Sequence, residues 1–121
     1  MKAILYVFLG GGLGSSLRYI FNKYIPNSGA AFPWATFLAN ALGCLLIGIL
    51  LSYFLKNGNN SEDGRLLAVV GFCGGFTTMS SFSAESLQLI RAGNIQLFLI
   101  YLMATLFVCF AFTYVGLALG K

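Results

Sequence analysis

The sequence predicts an all-α membrane protein of four transmembrane helices, the third of them broken. Two observations carry the class. Of the 121 residues, 59% are hydrophobic and 8% are charged, against about a quarter charged in a soluble domain, and mean hydropathy is +0.87. The apolar residues also fall into four runs, at about 4–19, 33–55, 66–90 and 95–119, each close to the ~20 residues that cross a bilayer as a helix. These spans use most of the chain, which is read as one four-helix transmembrane domain over 1–121. A lone four-helix bundle has little interior, so self-association is expected.

The break is read from the third run. A continuous helix from Leu66 to Ile90 would be ~37 Å long at ~1.5 Å per residue, more than the ~30 Å of hydrocarbon. Its middle reads Gly71-Phe72-Cys73-Gly74-Gly75-Phe76-Thr77-Thr78-Met79-Ser80-Ser81-Phe82-Ser83. Glycines and hydroxyls are poorly suited to lipid, and non-helical backbone at membrane depth survives only where protein or a polar cavity covers it. Beyond the break Phe76, Met79 and Phe82 recur at every third position. That spacing predicts an aromatic and thioether stripe beside Ser80 and Ser83, partly core and partly bordering a polar path.

In the first run, Lys2 before an apolar stretch is weakly like a signal peptide, but three more runs follow, and Arg18 ends the segment where it can snorkel. Gly10, Gly11, Gly12 and Gly14 fail the G-x-G-x-x-G phosphate pattern because Ser15 takes its last place. Gly10 and Gly14 are instead a small-xxx-small pair that admits a neighbouring helix. A polar turn is expected at Asn22–Gly29, and Pro33-Trp34 opens the second run at an interface. Within that run Thr36 and Asn40 share a face. Asn40 serves either as an interhelical hydrogen bond or as an amide donor to an anion in a pore.

The hydrophilic loop Lys56–Arg65 carries no motif. Glu85 is the one acid within a run. It is expected to pair with Arg18 or Arg91 at the interface, the alternative being a proton or cation site. In the fourth run Tyr101, Thr105, Cys109 and Thr113 recur at fours and form a polar stripe, expected to line a hydrated path or pack on the broken helix.

Several function classes are excluded. The seven cations behind the net charge of +4 are scattered, which gives no nucleic-acid interface. Cys44, Cys73 and Cys109 have no metal-site spacing, and their odd number argues against a closed disulfide set, so they read as small packing residues. No histidine is present, removing the usual proton shuttle and metal ligand. No nucleophile–base pair or cofactor loop suggests an enzyme. With both termini on one side, that side carries Lys2, Lys56, Arg65 and Lys121, and the other Arg18, Lys23 and Arg91. Four against three sets no orientation under the positive-inside rule. A chain that inserts both ways can form an antiparallel dimer.

The run from Gly71 to Glu85 resembles the signature G-F-C-G-G-x-T-T-F-S-T-F-S-x-E of the Fluc/CrcB family of fluoride channels, and the likeness extends over the whole chain, with Asn40 in the second run and Arg18 after the first. The resemblance implies an antiparallel, dual-topology homodimer in the bacterial inner membrane, with two pores that export fluoride passively. It also implies a central structural Na+ on backbone carbonyls, matching Gly74 and Thr77. It assigns the pore amide to Asn40, the two aromatic pore positions to Met79 and Phe82, the pore tyrosine to Tyr101, and polar groups along the route to Ser80, Glu85 and Thr113. Arg18 is structural. Met79 departs from the pattern, which has phenylalanine there. Methionine is of similar size but lacks the positive ring edge, so reduced conduction is expected. A proton-coupled exporter, with Glu85 as its only candidate carboxylate, and a non-transporting scaffold are the competing readings.

Overall fold

A computed structural model describes residues 1–25, 31–56 and 62–120. It contains four long apolar helices, α1 (Lys2–Tyr24), α2 (Trp34–Lys56), α3 (Glu62–Arg91) and α4 (Ile95–Leu119), each long enough to cross a membrane. The turn expected at Asn22–Gly29 begins later than its composition suggests. Asn22 is helical, donating from Nδ2 to the Arg18 carbonyl at 3.1 Å, and 26–30 lie outside the described residues. Positions 57–61 of the hydrophilic loop lie outside them too, while Glu62–Arg65 is already the first turn of α3.

The helix α3 changes winding twice. From Leu66 to Cys73 it is a π-helix, and Gly74–Phe76 returns to α geometry. At Thr77 and Thr78 the backbone is extended, with ψ 154° and then φ −152°, ψ 120°. The helix restarts at Met79 with Thr78 as its N-cap, whose Oγ1 accepts from Ser81 N at 3.2 Å, the usual use of a threonine at that position. Gly93, at φ +79°, ends α3 in the left-handed conformation that glycine adopts without a Cβ penalty, and Asn94 caps α4.

Glycines set the two tightest helix crossings, as small residues do where backbones must approach in a bilayer. A Cβ at Gly10 or Gly14 would collide with the Leu67 or Phe72 carbonyl, so α1 lies directly on the first half of α3. Gly48 and Gly116 make the equivalent crossing of α2 with α4, and one turn on Ser52 Oγ donates to the Leu117 carbonyl at 2.6 Å. Residue numbers rise together across this second interface, so α2 and α4 run parallel. The core is built mainly of small residues of α2 (Ala35, Thr36, Ala39, Ala41), closed by Leu89 and Tyr101. Large apolar side chains such as Phe8, Leu13, Phe107 and Phe110 point outward, the inverse of a soluble protein and the arrangement lipid favours.

The stripe expected from Phe76, Met79 and Phe82 does not exist as one face. The break separates its members. Phe76 is buried against Phe21, edge to face at 5.3 Å, and against Phe72. Met79 is 75% exposed, and Phe82 lies between these extremes.

Candidate functional site

The break in α3 is held by one side chain. Asn40 of α2 accepts from Thr78 N at Oδ1 (2.8 Å) and donates from Nδ2 to the Thr78 carbonyl (3.3 Å). A primary amide has two donors and an acceptor, so it matches both main-chain groups of one extended residue as a neighbouring strand would, and among the described residues the second Nδ2 hydrogen is left over. Both readings of Asn40 therefore have a geometric basis: it closes an interhelical bond and keeps a donor.

The capture of Thr78 N has a further effect. In an unbroken helix that N–H would bond the Gly74 carbonyl, and Ser81 N would bond that of Thr77. The first goes to Asn40 Oδ1 and the second to Thr78 Oγ1. The Gly74 and Thr77 carbonyl oxygens, flanking the break, thus lose their helical donors. The Gly75 carbonyl accepts instead from Arg18 Nε at 3.1 Å and Ser15 Oγ at 3.5 Å. Arg18, with Arg91 one of the two partners expected for Glu85, is thereby drawn to the break.

Glu85 sits between two hydroxyls. Thr36 Oγ1 donates to its Oε2 at 3.0 Å and Tyr101 OH to its Oε1 at 3.2 Å. Both donors are almost fully buried, at 1% and 0% exposure. The Phe82 ring lies 4.9 Å from that of Tyr101 at 51°, and Phe32 meets Tyr101 edge-on at 5.3 Å. Tyr101 is thus fixed by rings on its body and a carboxylate at its tip.

These groups border an apolar groove of about 380 Å³, lined among others by Asn40, Gly74, Thr77, Met79, Phe82 and Thr105. Nothing lies within 4 Å of where a Cβ at Gly74 would stand, so the groove is open on that side. Ser80 is exposed beyond it and shares a hydrogen bond with Thr78 Oγ1 at 3.0 Å. Of the residues singled out in the sequence, Asn40, Gly74, Thr77, Met79 and Phe82 meet at the groove, and Tyr101 and Glu85 adjoin it through Phe82. Thr113 stands apart, its hydroxyl donating to its own helix at the Cys109 carbonyl, 3.0 Å. Thr36 and Thr78 were missed as site residues. Thr36 was legible as the face-mate of Asn40, but Thr78 acts through its peptide, which its side chain does not announce.

A family model described as CrcB-like protein, Camphor Resistance (CrcB), matches residues 5–117. The chain is 41% identical over 125 residues to a protein of Flavobacterium psychrophilum, spanning 100% of this chain and 98% of that one. It is 44% identical over 121 residues to one of Thermus thermophilus, spanning 99% and 96%. A third, from Phocaeicola vulgatus, is 46% identical over 106 residues, spanning 87% of each. All three carry the name fluoride-specific ion channel FluC, which describes a channel and not an enzyme.

Proposed function

The chain belongs to the CrcB family, and on that footing we propose that it is a fluoride-selective channel that exports the anion passively through a bacterial inner membrane. The observation that carries the reading is the Asn40 clamp, an amide with a spare donor at a helix break in an apolar groove free of cationic side chains among the described residues. Fluoride is small and strongly hydrated, so a pore must replace its water with hydrogen-bond donors, yet bind weakly enough to let it go. Asn40 and the Ser80 hydroxyl supply donors. The Phe82 ring supplies a positive edge, and Met79 a polarisable side chain. Glu85 holds the Thr36 and Tyr101 hydroxyls in place beside them, and Thr113 lies further along the route. A lining without fixed positive charge gives chloride, which is larger, little reason to enter. Passive export suits the chemistry of hydrogen fluoride, which enters a cell as the neutral acid, dissociates, and leaves as the anion down its gradient.

The finer assembly is an antiparallel homodimer with two pores. It is supported by the near balance of four cations against three across the membrane and by a groove that one copy leaves open at Gly74. A central Na+ fits the donor set. The Gly74 and Thr77 carbonyls, released from their helical donors, are hard oxygen ligands of the kind alkali and alkaline-earth ions take, and a two-fold axis at the break would double them. When bound, the ion supplies positive potential near the anion route and ties the copies together.

Fluoride release from liposomes loaded with fluoride or chloride tests the proposal. Fast fluoride release without chloride release is the expected result. If neither anion moves, the scaffold reading replaces it.

A further inference from the structure

One ring beside the site has no part in the proposed route. Phe32 stands outside the helices, two residues before α2 begins, on a stretch with little freedom. Proline fixes its own φ and holds the residue before it to extended backbone, and Pro33 is almost fully buried. The Trp34 N–H donates to the Phe32 carbonyl at 2.9 Å and the Phe37 N–H to the Pro33 carbonyl at 3.1 Å, so this link is tied to the first turn of α2. The Phe32 ring then meets three others: Trp34 at 4.5 Å and 47°, Phe37 at 5.4 Å and 75°, and Tyr101 at 5.3 Å and 78°. Tilted and edge-on contacts at such separations are those that aromatic pairs favour.

The contacts form a chain from the surface inward. Trp34 is 51% exposed, Phe32 is half-buried, and Tyr101 is 0% exposed. Trp34 and Phe37 meet each other edge to face at 5.9 Å and so brace Phe32 from the side of α2. Phe32 in turn lies against Tyr101, whose other ring contact among the described residues is Phe82 of α3. A tyrosine ring turns about its side-chain torsions, and these contacts set where its hydroxyl points. That hydroxyl donates to Glu85 Oε1 at 3.2 Å, long for an O–H···O bond, so a small swing of the ring would break it. With Phe82 alone against it, the ring could swing into the space that Phe32 fills. We propose that Phe32 is a positioning residue for the anion route: it does not line the groove, but it holds the Tyr101 ring so that the hydroxyl stays on the Glu85 carboxylate. The effect on flux rests on the channel reading; the effect on Tyr101 does not.

The test uses the full chain in detergent micelles, with ring-labelled tyrosine observed by carbon NMR. The Tyr101 signal is identified by its absence in Tyr101→Phe. The shift of its ζ carbon, which bears the hydroxyl, responds to the hydrogen bond, and Glu85→Gln shows where it moves when the carboxylate is gone. Phe32→Leu keeps apolar bulk without a ring. It should move the Tyr101 signal in the same direction as Glu85→Gln, with the melting temperature nearly kept. In liposomes it should lower fluoride release by about tenfold, the scale of one lost hydrogen bond to a charged group, whereas Phe32→Tyr, which keeps the ring, should retain most of the release. In Tyr101→Phe, where no hydroxyl remains to be aimed, adding Phe32→Leu should cost little more. An unmoved Tyr101 signal in Phe32→Leu, or full additivity of the two substitutions, overturns the assignment. If Phe32→Leu does not fold, Phe37→Leu, which removes a brace behind Phe32, decides in its place by whether the Tyr101 signal moves. An unsubstituted protein that releases no fluoride tells against the channel reading, and the Tyr101 signal still decides what Phe32 does.

Discussion

The side chain of Asn40 bonds both main-chain groups of Thr78, accepting its N–H at 2.8 Å and donating to its C=O at 3.3 Å. One amide of α2 thus determines where α3 stops being a helix. Asn40→Ala strands both main-chain groups of Thr78, at about 1–3 kcal/mol for each buried group left unpaired. Fluoride release should fall to background, with a clear loss of thermal stability. Asn40→Asp keeps the acceptor but sets an acid oxygen against the Thr78 carbonyl, so it should also abolish release. An Asn40→Ala protein that conducts normally would remove the clamp from the mechanism.

Met79 is three-quarters exposed, so its exchange disturbs little packing in one copy. Met79→Phe restores a ring edge at the groove. Fluoride release per protein should rise several-fold with the melting temperature nearly unchanged. Equal rates in the two proteins would mean that position 79 contributes bulk but no ring electrostatics.

Glu85 receives two hydroxyl hydrogen bonds, which suits a carboxylate that positions Thr36 and Tyr101. In Glu85→Gln, fluoride release should be lowered and should continue without a proton gradient. Release that requires a gradient in the unsubstituted protein and vanishes in the variant would favour the coupled exporter.

The proposed cation site uses backbone oxygens, so it is tested through the salt. Exchanging Na+ for a large organic cation at constant ionic strength should lower the melting temperature of the assembled protein and promote its dissociation into single chains. Identical melting curves in both salts would remove Na+ from the assembly.

Glycines of α1 give a paired comparison. A Cβ at Gly10 meets the Leu67 backbone, whereas one at Gly12 meets nothing within 4 Å. Gly10→Ala should therefore lose folded yield. Gly12→Ala should hold or gain stability, by up to about 1 kcal/mol from helix propensity. Thermal melting of the two variants separates packing from propensity.

The sequence made the break in α3 legible because Gly74, Gly75 and the hydroxyls around Thr77 sit where lipid-facing helix would carry large apolar residues. It made Asn40 legible because an amide in a span needs a partner. It did not reveal that the partner is a peptide, since main-chain acceptors carry no residue-type signal. The Phe76–Met79–Phe82 stripe failed for a related reason: a period of three or four holds only while the helix is continuous, and the extended residues Thr77 and Thr78 reset the phase. Pairing Glu85 with Arg18 or Arg91 follows charge alone, whereas the Arg18 guanidinium is taken by the Gly75 carbonyl exposed at the same break. Thr36 shows the opposite case, where a face shared with Asn40 was read correctly but its carboxylate partner lay 49 positions away.

The π-wound stretch Leu66–Cys73 bears on how the chain tolerates changes of length. A π turn holds more residues than an α turn, so deleting one residue there would let the segment relax to ordinary winding, whose larger turn per residue makes up for the lost position. Gly75 would still meet Gly11 and Arg18, and Thr78 would still meet Asn40. A deletion in an α-wound stretch has no such reserve and would rotate everything downstream by about 100° about the helix axis. The wide winding thus holds about one residue of slack between the start of α3 and its clamped break.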